Sequence, residues 1–417
     1  MSFQAVKGVK DVLPSDIETW RRLEETAREV FRVFGFREVR VPIFEYTEVF
    51  TRSIGDTTDI VEKEMYTFED GSGRRITLRP EGTAPVVRAF VEHSLYAQSP
   101  VNKLWYMGPM FRRERPQAGR YRQFHQIGAE LFGAENPASD VDMLVMIDTL
   151  FRELGLSGVE LNLNSLGCPD CRPTYRDTLT SFLQQRISAL CEDCQRRYTA
   201  NPLRALDCKS ANCKEATVQA PSILDCLCDG CKGHFHAVKE GLTALNVPFV
   251  VNPRLVRGLD YYTRTTFEFL ATGIGSQNAI AAGGRYDKLV EEMGGPATPG
   301  IGFALGVERV VAIMEQHARR EEKVSTDAFF ALMGDAARKA ALLVIHALRT
   351  QGMSVEFDYA GASLKSQMKK ADKCGARFTV ILGDQEVERG VAVIRDMATK
   401  EQREVVLDEL IASMKEA

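Results

Sequence analysis

Apolar positions recur every three or four residues near the start of the chain. Ile17, Trp20, Leu23, Ala27, Val30, Phe31 and Phe34 fall on one face of a helix. Ser15 and Glu18 predict a capping box at its start, and Gly35 supplies the residue that ends it. The period then changes. FREVRVPIF, from Phe36 to Phe44, alternates as a strand, with Pro42 marking an edge or boundary position. Strand-like and turn-like segments dominate from Tyr66 to Phe132, interrupted by a helix predicted over Thr83–His93. A helical pattern returns over Ala138–Leu154, and VELNLNSLG, from Val159 to Gly167, alternates as a strand. Strands resume at Pro248–Val251 and Thr265–Leu270, and an apolar helix begins near Gly306.

The polar, charged stretch QHARREEKVST, from Gln316 to Thr326, reads as an interdomain linker. Beyond it FFALMG, SVEFD, FTVILG, AVIRDM and EVVL read as strands, with helices over Ala336–Thr350 and Ser363–Cys374. That order predicts a small α/β domain with a mostly parallel sheet over residues 327–417. Residues 1–322 form the first expected domain, and residues 168–240, different in composition from their flanks, form an inserted, mainly helical, cysteine-rich subdomain within it. No internal repeat or low-complexity tract is present.

Composition narrows the class. The chain has 417 residues, 44% hydrophobic and 26% charged, enough for two or three globular domains. A net charge of −4 means that any nucleic-acid contact must come from local basic patches. The N-terminal MSFQAVKGVKDVLPSD lacks the apolar run of a secretory signal, and no stretch is long and apolar enough for a membrane span, so a cytoplasmic protein is expected. Nine of the ten cysteines fall between Cys168 and Cys231, which in a cytosolic chain favours metal over disulfides. The tenth, Cys374, reads as a small core residue.

Two clusters carry chemistry. TLRPEGTAPVVRAF, from Thr77, places Arg79, Glu81 and Thr83 around a Pro-Glu-Gly turn, and alone it would pass for a solvated turn. KLWYMGPMFRRERPQAGRYRQFHQIGAELFG, from Lys103 to Gly133, sets Arg112, Arg113, Arg115, Arg120 and Arg122 within eleven residues, between two apolar strands. Guanidinium groups suit bidentate phosphate recognition, so a hairpin with a phosphate-binding loop is expected. Alternation puts Phe124, Gln126, Gly128 and Glu130 on one strand face.

These residues resemble a class II aminoacyl-tRNA synthetase, specifically the histidyl-tRNA synthetase family of class IIa. GFREVRVPIFE resembles motif 1, FRRER with GRYRQFHQIGAE motif 2, and GIGFALGVERV, from Gly300, motif 3. LVRGLDYYTRTTFEF from Leu255 and AAGGRYDKLV from Ala281 resemble the histidine-specific signatures. The likeness covers essentially the whole chain. It implies an α+β catalytic domain, an antiparallel sheet flanked by helices, followed by a C-terminal α/β anticodon-binding domain. It also implies a homodimer, ATP and Mg2+, and L-histidine and tRNA(His) as substrates.

Residue roles carry over by motif. Arg112 would contact the α-phosphate, Glu114 the adenine amino group and Arg120 the outer phosphates, with Phe124 stacked on adenine. Arg309 would hold the terminal phosphates. Arg257 would act on the α-phosphate, alongside Arg112, as the histidine carboxylate attacks, where a fixed cation meets charge developing in the transition state. Glu81 and Gln126 would take the ammonium group, with Thr83 beside them. Glu130 and Tyr262 would read the imidazole, and Tyr286 would line the same site. Tyr261 is read as shaping the pocket, with core packing an equal alternative.

Cys168-x2-Cys171 and Cys191-x2-Cys194, nineteen residues apart, fit a four-thiolate zinc site. Cys208, Cys213, Cys226, Cys228, Cys231, His234 and His236 offer a second set. The resemblance pulls the other way, because the family's reaction needs no zinc. In the C-terminal domain Lys365, Lys369 and Lys373 recur at spacing four, with Lys370 and Arg377 nearby, a stripe that suits an RNA backbone or an ordinary solvated face. The rival reading is a non-catalytic, histidine-binding regulatory paralogue of histidine biosynthesis. Such subunits lack the anticodon domain and depart from the catalytic motifs, whereas this chain keeps both.

Overall fold

The structure is a computed structural model that describes residues 3–55, 58–117, 119–257, 259, 261–272, 278–317 and 326–415. The chain forms two compact units, residues 1–317 and 318–417. Most of the expected linker lies outside the described residues. Gln316 ends in the helix Val307–His317, and Thr326 precedes the first strand of the second unit.

The first unit is built on an eight-stranded sheet. From edge to edge its strands are Arg37–Glu38, Asn102–Phe111, Gln123–Phe132, Gly300–Gly306, Ala279–Arg285, Thr263–Ala271, Val159–Ser165 and Val250–Val251. The six central strands pair antiparallel, and each two-residue edge strand joins in parallel. The long hairpin Asn102–Phe111/Gln123–Phe132 brackets the arginine loop, as its alternation predicts.

Helices cover the sheet where their apolar stripes require it. The helix Ile17–Val33 buries Trp20, Leu23, Ala27, Val30 and Phe31. Together with the helices Ala138–Glu153 and Val307–His317 it closes one large core over Trp105, Ile127, Phe267, Phe269 and Phe303. Full burial of one such aromatic side chain contributes on the order of 2–3 kcal/mol. The first helix ends as its glycine predicts. Gly35 takes a φ of 79°, and the Phe36 N–H reaches back to the Phe31 carbonyl at 2.8 Å. The expected capping box does not form. Asp16 occupies the N-cap without a side-chain cap, and the Ser15 hydroxyl donates to Asp16 instead.

The single strand expected over Phe36–Phe44 is two short ones in different sheets. Arg37–Glu38 joins the main sheet, and Phe44–Tyr46 pairs with Arg75–Leu78 in a three-stranded sheet completed by Tyr66–Glu69. The turn between them is held from outside the segment. The buried Arg79 guanidinium donates to the carbonyls of Val41 at 2.9 Å, Pro42 at 3.3 Å and Pro109 at 2.8 Å. Those carbonyls are therefore satisfied by a side chain rather than by a ladder.

Described residues 168–240 contain helices and loops and no strand. Their small core includes Tyr175, Leu179, Leu183, Leu190, Ile223 and Leu227 together with Cys171, Cys194, Cys213 and Cys231. The helix Asp229–Ala244 runs past the expected end of the insertion and sends Phe235, Val238 and Leu242 into the main core.

The second unit has a five-stranded sheet ordered Val355–Phe357, Ala328–Met333, Phe378–Gly383, Val391–Asp396, Gln402–Val406. Its sheet is mixed rather than mostly parallel. Ala328–Met333 pairs in parallel with both neighbours, but the last three strands form an antiparallel meander. The short Asp384–Glu388 helix and the connection 397–401 leave too few residues for a crossover, so the chain returns antiparallel. No helix among the described residues is long and apolar enough to cross a membrane.

Candidate active site

The 123–132 strand carries the site on one face. Phe124 and Gln126 line a cavity of about 280 Å³ that also receives Arg112, Glu114 and Arg120 from the hairpin loop, Arg257 and Glu268, and Arg309. Farther along the strand Glu130 is buried. Gly128 stands between the two regions, where a Cβ would lie 2.4 Å from the Tyr106 hydroxyl. Strand period two thus distributes one row of side chains between an arginine-lined cavity and a buried pocket.

The cavity is positively biased. Arg309 enters from the first turn of the helix Val307–His317, and its guanidinium donates to the carbonyls of Gly119 at 3.1 Å and Ala279 at 2.7 Å. Burial, and then the neighbouring Arg120, hold its pKa below the usual arginine value, so added negative charge is favoured there. Its sequence neighbour Glu308 accepts the His125 backbone N–H at 2.9 Å. Arg120 pairs with Glu114 at 2.9 Å. Arg112 donates to the Pro80 carbonyl at 2.9 Å and lies over the Phe124 ring at 5.3 Å. Arg257 pairs with Glu268 and sits 5.9 Å from the Tyr262 ring centroid. Gly258 and Asp260 of the same motif lie outside the described residues.

A buried cluster gathers Glu81, Thr83, Glu130, Tyr261, Tyr262 and Tyr286. The Thr83 hydroxyl donates to Glu130 at 2.7 Å, and the Tyr286 hydroxyl donates to its other oxygen. Burial pushes the Glu130 carboxyl up to about 8, outweighing both donations, and the nearby Glu81 adds to the rise. Glu81 faces the start of the helix Thr83–Glu92. Its two oxygens accept the backbone N–H groups of Thr83 at 2.7 Å and Ala84 at 2.8 Å, although burial still raises its pKa. Tyr261 contacts Tyr262 at 4.6 Å and Tyr286 at 5.7 Å between ring centroids, so it packs in the core and borders the pocket at once. The Tyr106 hydroxyl and the Gln126 side-chain oxygen are buried with no hydrogen-bond partner among the described residues. Unpaired buried polar atoms of this kind cost free energy unless a ligand meets them.

Glycines open the space. Gly302 sits opposite Glu130 in the ladder, and a Cβ there would lie 1.7 Å from a Glu130 oxygen. At Gly82 it would lie 2.0 Å from the Tyr106 ring. The structure therefore brings the predicted residues into two adjoining groups, one lined by arginine and one by tyrosine and glutamate.

The comparisons agree with this geometry. The family model described as histidyl-tRNA synthetase matches residues 8–310, and one described as anticodon binding domain matches residues 311–417. The chain belongs to the histidyl-tRNA synthetase family. It is 57% identical over 408 residues, 98% of this chain and 97% of the relative, to the histidine–tRNA ligase of Trichlorobacter lovleyi. The apo histidyl-tRNA synthetase of S. aureus superposes with a TM-score of 0.84 at 37% identity, covering 99% of this chain and all of that one. A Bacillus halodurans protein described as an ATP phosphoribosyltransferase regulatory subunit/histidyl-tRNA synthetase gives 0.66 at 19% identity, covering 92% of this chain and 99% of that one, a likeness of fold alone.

Set against the family's motifs, sequence reasoning missed Tyr106, Glu268 and Glu64. Glu268, opposite Asn162 and Ala282 in the ladder, turns its carboxylate to Arg257 at the cavity wall. Glu64 lines a second cavity of about 390 Å³ beside Arg112 and Arg120, and burial, then Glu114, raises its pKa. The alternation of LWYM shows that Tyr106 shares a strand face with Leu104, but nothing local marks its hydroxyl as polar lining. Arg285, in the GGRYD motif, is structural. Fully buried, it ion-pairs with Asp140, which also meets His234 at 3.1 Å.

The tentative zinc set is corrected. Cys168 and Cys171 do not join Cys191 and Cys194. They gather with Cys228 and Cys231, while Cys191 and Cys194 gather with Cys208 and Cys213. Chain spacing favours the nearest pairs, but the helices between them send the two pairs to separate partners.

Proposed function

We propose that the chain is a histidine–tRNA ligase. It condenses L-histidine with ATP to histidyl-adenylate and pyrophosphate, then transfers the histidyl group to the 3′ end of tRNA(His), releasing AMP. The observation that supports this most directly is the adjacency of an arginine-lined cavity and a buried tyrosine–glutamate cluster along one strand, with Arg257 lining the first and lying over Tyr262 of the second.

In this reading Arg112 and Arg257 flank the α-phosphate. The histidine carboxylate attacks phosphorus in line, pyrophosphate departs, and fixed guanidinium groups stabilise the charge that grows on the non-bridging oxygens. Arg120 and Arg309 bind the outer phosphates, Phe124 stacks on adenine, and Glu114 accepts its amino group. ATP enters as its Mg2+ complex, and Glu268 is a carboxylate on the cavity wall able to meet the ion. Glu81, Thr83 and Gln126 hold the ammonium end of histidine. Glu130, Tyr262 and Tyr286 read the imidazole, with Tyr261 closing the pocket. A side chain without matching donors and acceptors would leave these buried groups unpaired, and that is the basis of selection. Zinc, in the same reading, is structural and takes no part in the chemical step.

The catalytic domain spans residues 1–322 with its insertion at 168–240, and residues 327–417 bind the anticodon end of the tRNA through the exposed Lys365, Lys369 and Lys373. The protein acts in the cytoplasm as a homodimer. The exposed Ile43, Phe44, Tyr46 and Phe68 of the small sheet support a self-contact there.

The test is ATP–pyrophosphate exchange with each of the twenty amino acids, without tRNA. Exchange with histidine alone, lost in Arg257→Ala, is expected. Histidine binding without exchange would overturn the reading in favour of the regulatory paralogue.

A further inference from the structure

We propose that the inserted helical region holds two structural zinc ions, each on four cysteine thiolates. Cys168, Cys171, Cys228 and Cys231 make the first site, and Cys191, Cys194, Cys208 and Cys213 the second. In each set all four Sγ atoms lie within 4.8 Å of one another.

The sulfur separations argue for a metal. Cys168 and Cys171 are 3.6 Å apart, Cys168 and Cys228 3.9 Å, and Cys191 and Cys208 3.7 Å. A disulfide needs about 2 Å between sulfurs. A tetrahedron of thiolates at a Zn–S distance of about 2.3 Å has edges of about 3.8 Å, which matches. A four-iron cube would spread its thiolates wider. Each set also carries a backbone donor to sulfur. The Cys228 N–H reaches the Cys171 sulfur and the Cys191 N–H the Cys213 sulfur, both at 3.1 Å. Such bonds orient a ligating thiolate and offset its charge.

The region needs such staples. Its described residues 168–228 contain no strand, and four of the eleven buried residues of its core are ligand cysteines. A core this small rarely holds a fold by burial alone. The first ion ties the beginning of the insertion to its end, and the second ties its interior. Each site releases its four thiol protons on loading.

Both sites face the catalytic unit. Arg172, next to Cys171, donates to the carbonyls of Leu166 and Tyr262. Cys191, Cys194 and Cys208 line the cavity that Arg112 and Arg120 also border, and Arg197 of the same helix pairs with Asp59 at 3.0 Å. Metal in the second site therefore fixes a wall beside the arginine loop.

Two cysteines, Cys226 and Cys374, belong to neither set and serve as internal controls. The test is elemental analysis of the full-length protein, purified under reducing conditions from zinc-supplemented cells. Two zinc ions per chain are expected. Cys168→Ser/Cys171→Ser and Cys191→Ser/Cys194→Ser should each retain one, and Cys226→Ser two. Because a double variant may fail to fold, the wild-type protein provides a second measurement. Titration of its thiols with a mercurial in the presence of a zinc-sensitive dye should release two zinc ions as eight protected thiols react, after two that react without release. Cobalt substitution should give the visible bands of tetrahedral thiolate ligation. Absence of stoichiometric zinc, a single ion per chain, or stoichiometric iron would each overturn the proposal.

Discussion

At the scale of single residues, the buried acid Glu130 carries the most testable electrostatics. Burial pushes its carboxyl from the ordinary glutamate value of 4.5 up to about 8. Between these values the unfolded chain has lost the proton and the folded chain keeps it. Unfolding then releases a proton, so this group's contribution to stability falls as pH rises from about 4.5 to 8 and is flat on either side. The slope is on the order of 1 kcal/mol per pH unit. Urea unfolding of the wild type and Glu130→Gln at pH 5 and pH 8 should show the difference between the two shrinking or changing sign with pH. A constant difference would refute the assignment. The same substitution should raise the histidine KM by roughly 2–10-fold, the loss of a hydrogen bond between neutral groups, with the ATP KM little changed. Gly302→Ala tests the same spot by volume, because its Cβ would fall 1.7 Å from a Glu130 oxygen. Histidine-dependent exchange should drop at least as far as in Glu130→Gln while the fold, read by circular dichroism, persists.

At the scale of elements, the hairpin and the glycine-bounded helices were legible because their periods are local. The capping box was not, since Ser15 and Glu18 have the right spacing but Asp16 takes the N-cap. The Phe36–Phe44 strand was misread because its break is imposed by Arg79, a residue distant in sequence. The last two strands of the second unit were read correctly as strands, but their direction depends on connection length and on which edge is free. The helix Leu364–Lys373 has a functional prediction of its own. Lys365→Ala/Lys369→Ala/Lys373→Ala removes three exposed positive charges and leaves Lys370 paired with Asp358. The tRNA KM should rise several-fold and its salt dependence weaken, with tRNA-independent pyrophosphate exchange unchanged. Equal loss in both assays would place the defect elsewhere.

At the scale of the whole molecule, Asp140, Arg285 and His234 join the helix Ala138–Glu153, the sheet and the last helix of the insertion inside the core. Burial penalises the Asp140 charge, but His234 and Arg285 hold its pKa below the usual carboxylate value. Asp140→Asn leaves the buried Arg285 with only the less buried Asp287 as ion-pair partner, and Arg285→Met leaves the buried Asp140 with only His234, so each should cost about 3 kcal/mol, read as a lowered denaturation midpoint. If both variants unfold at the wild-type midpoint, the network is not structural.

The sequence alone determined the family, the two sets of basic and acidic motif residues, and the elements whose apolar period repeats every 2 or 3.6 residues. These are properties of residues close together in the chain, where spacing translates directly into a shared face. Tertiary structure decided what depends on contacts across long separations. It decided that burial raises the Glu130 pKa, that Tyr106 and Glu268 stand beside the site, that Arg79 and Arg285 are struts, and that eight of the nine clustered cysteines gather in two tetrads rather than by the nearest pairs. Burial, ladder register and the direction of each connecting helix set those contacts, and none of the three is encoded in any single stretch of residues.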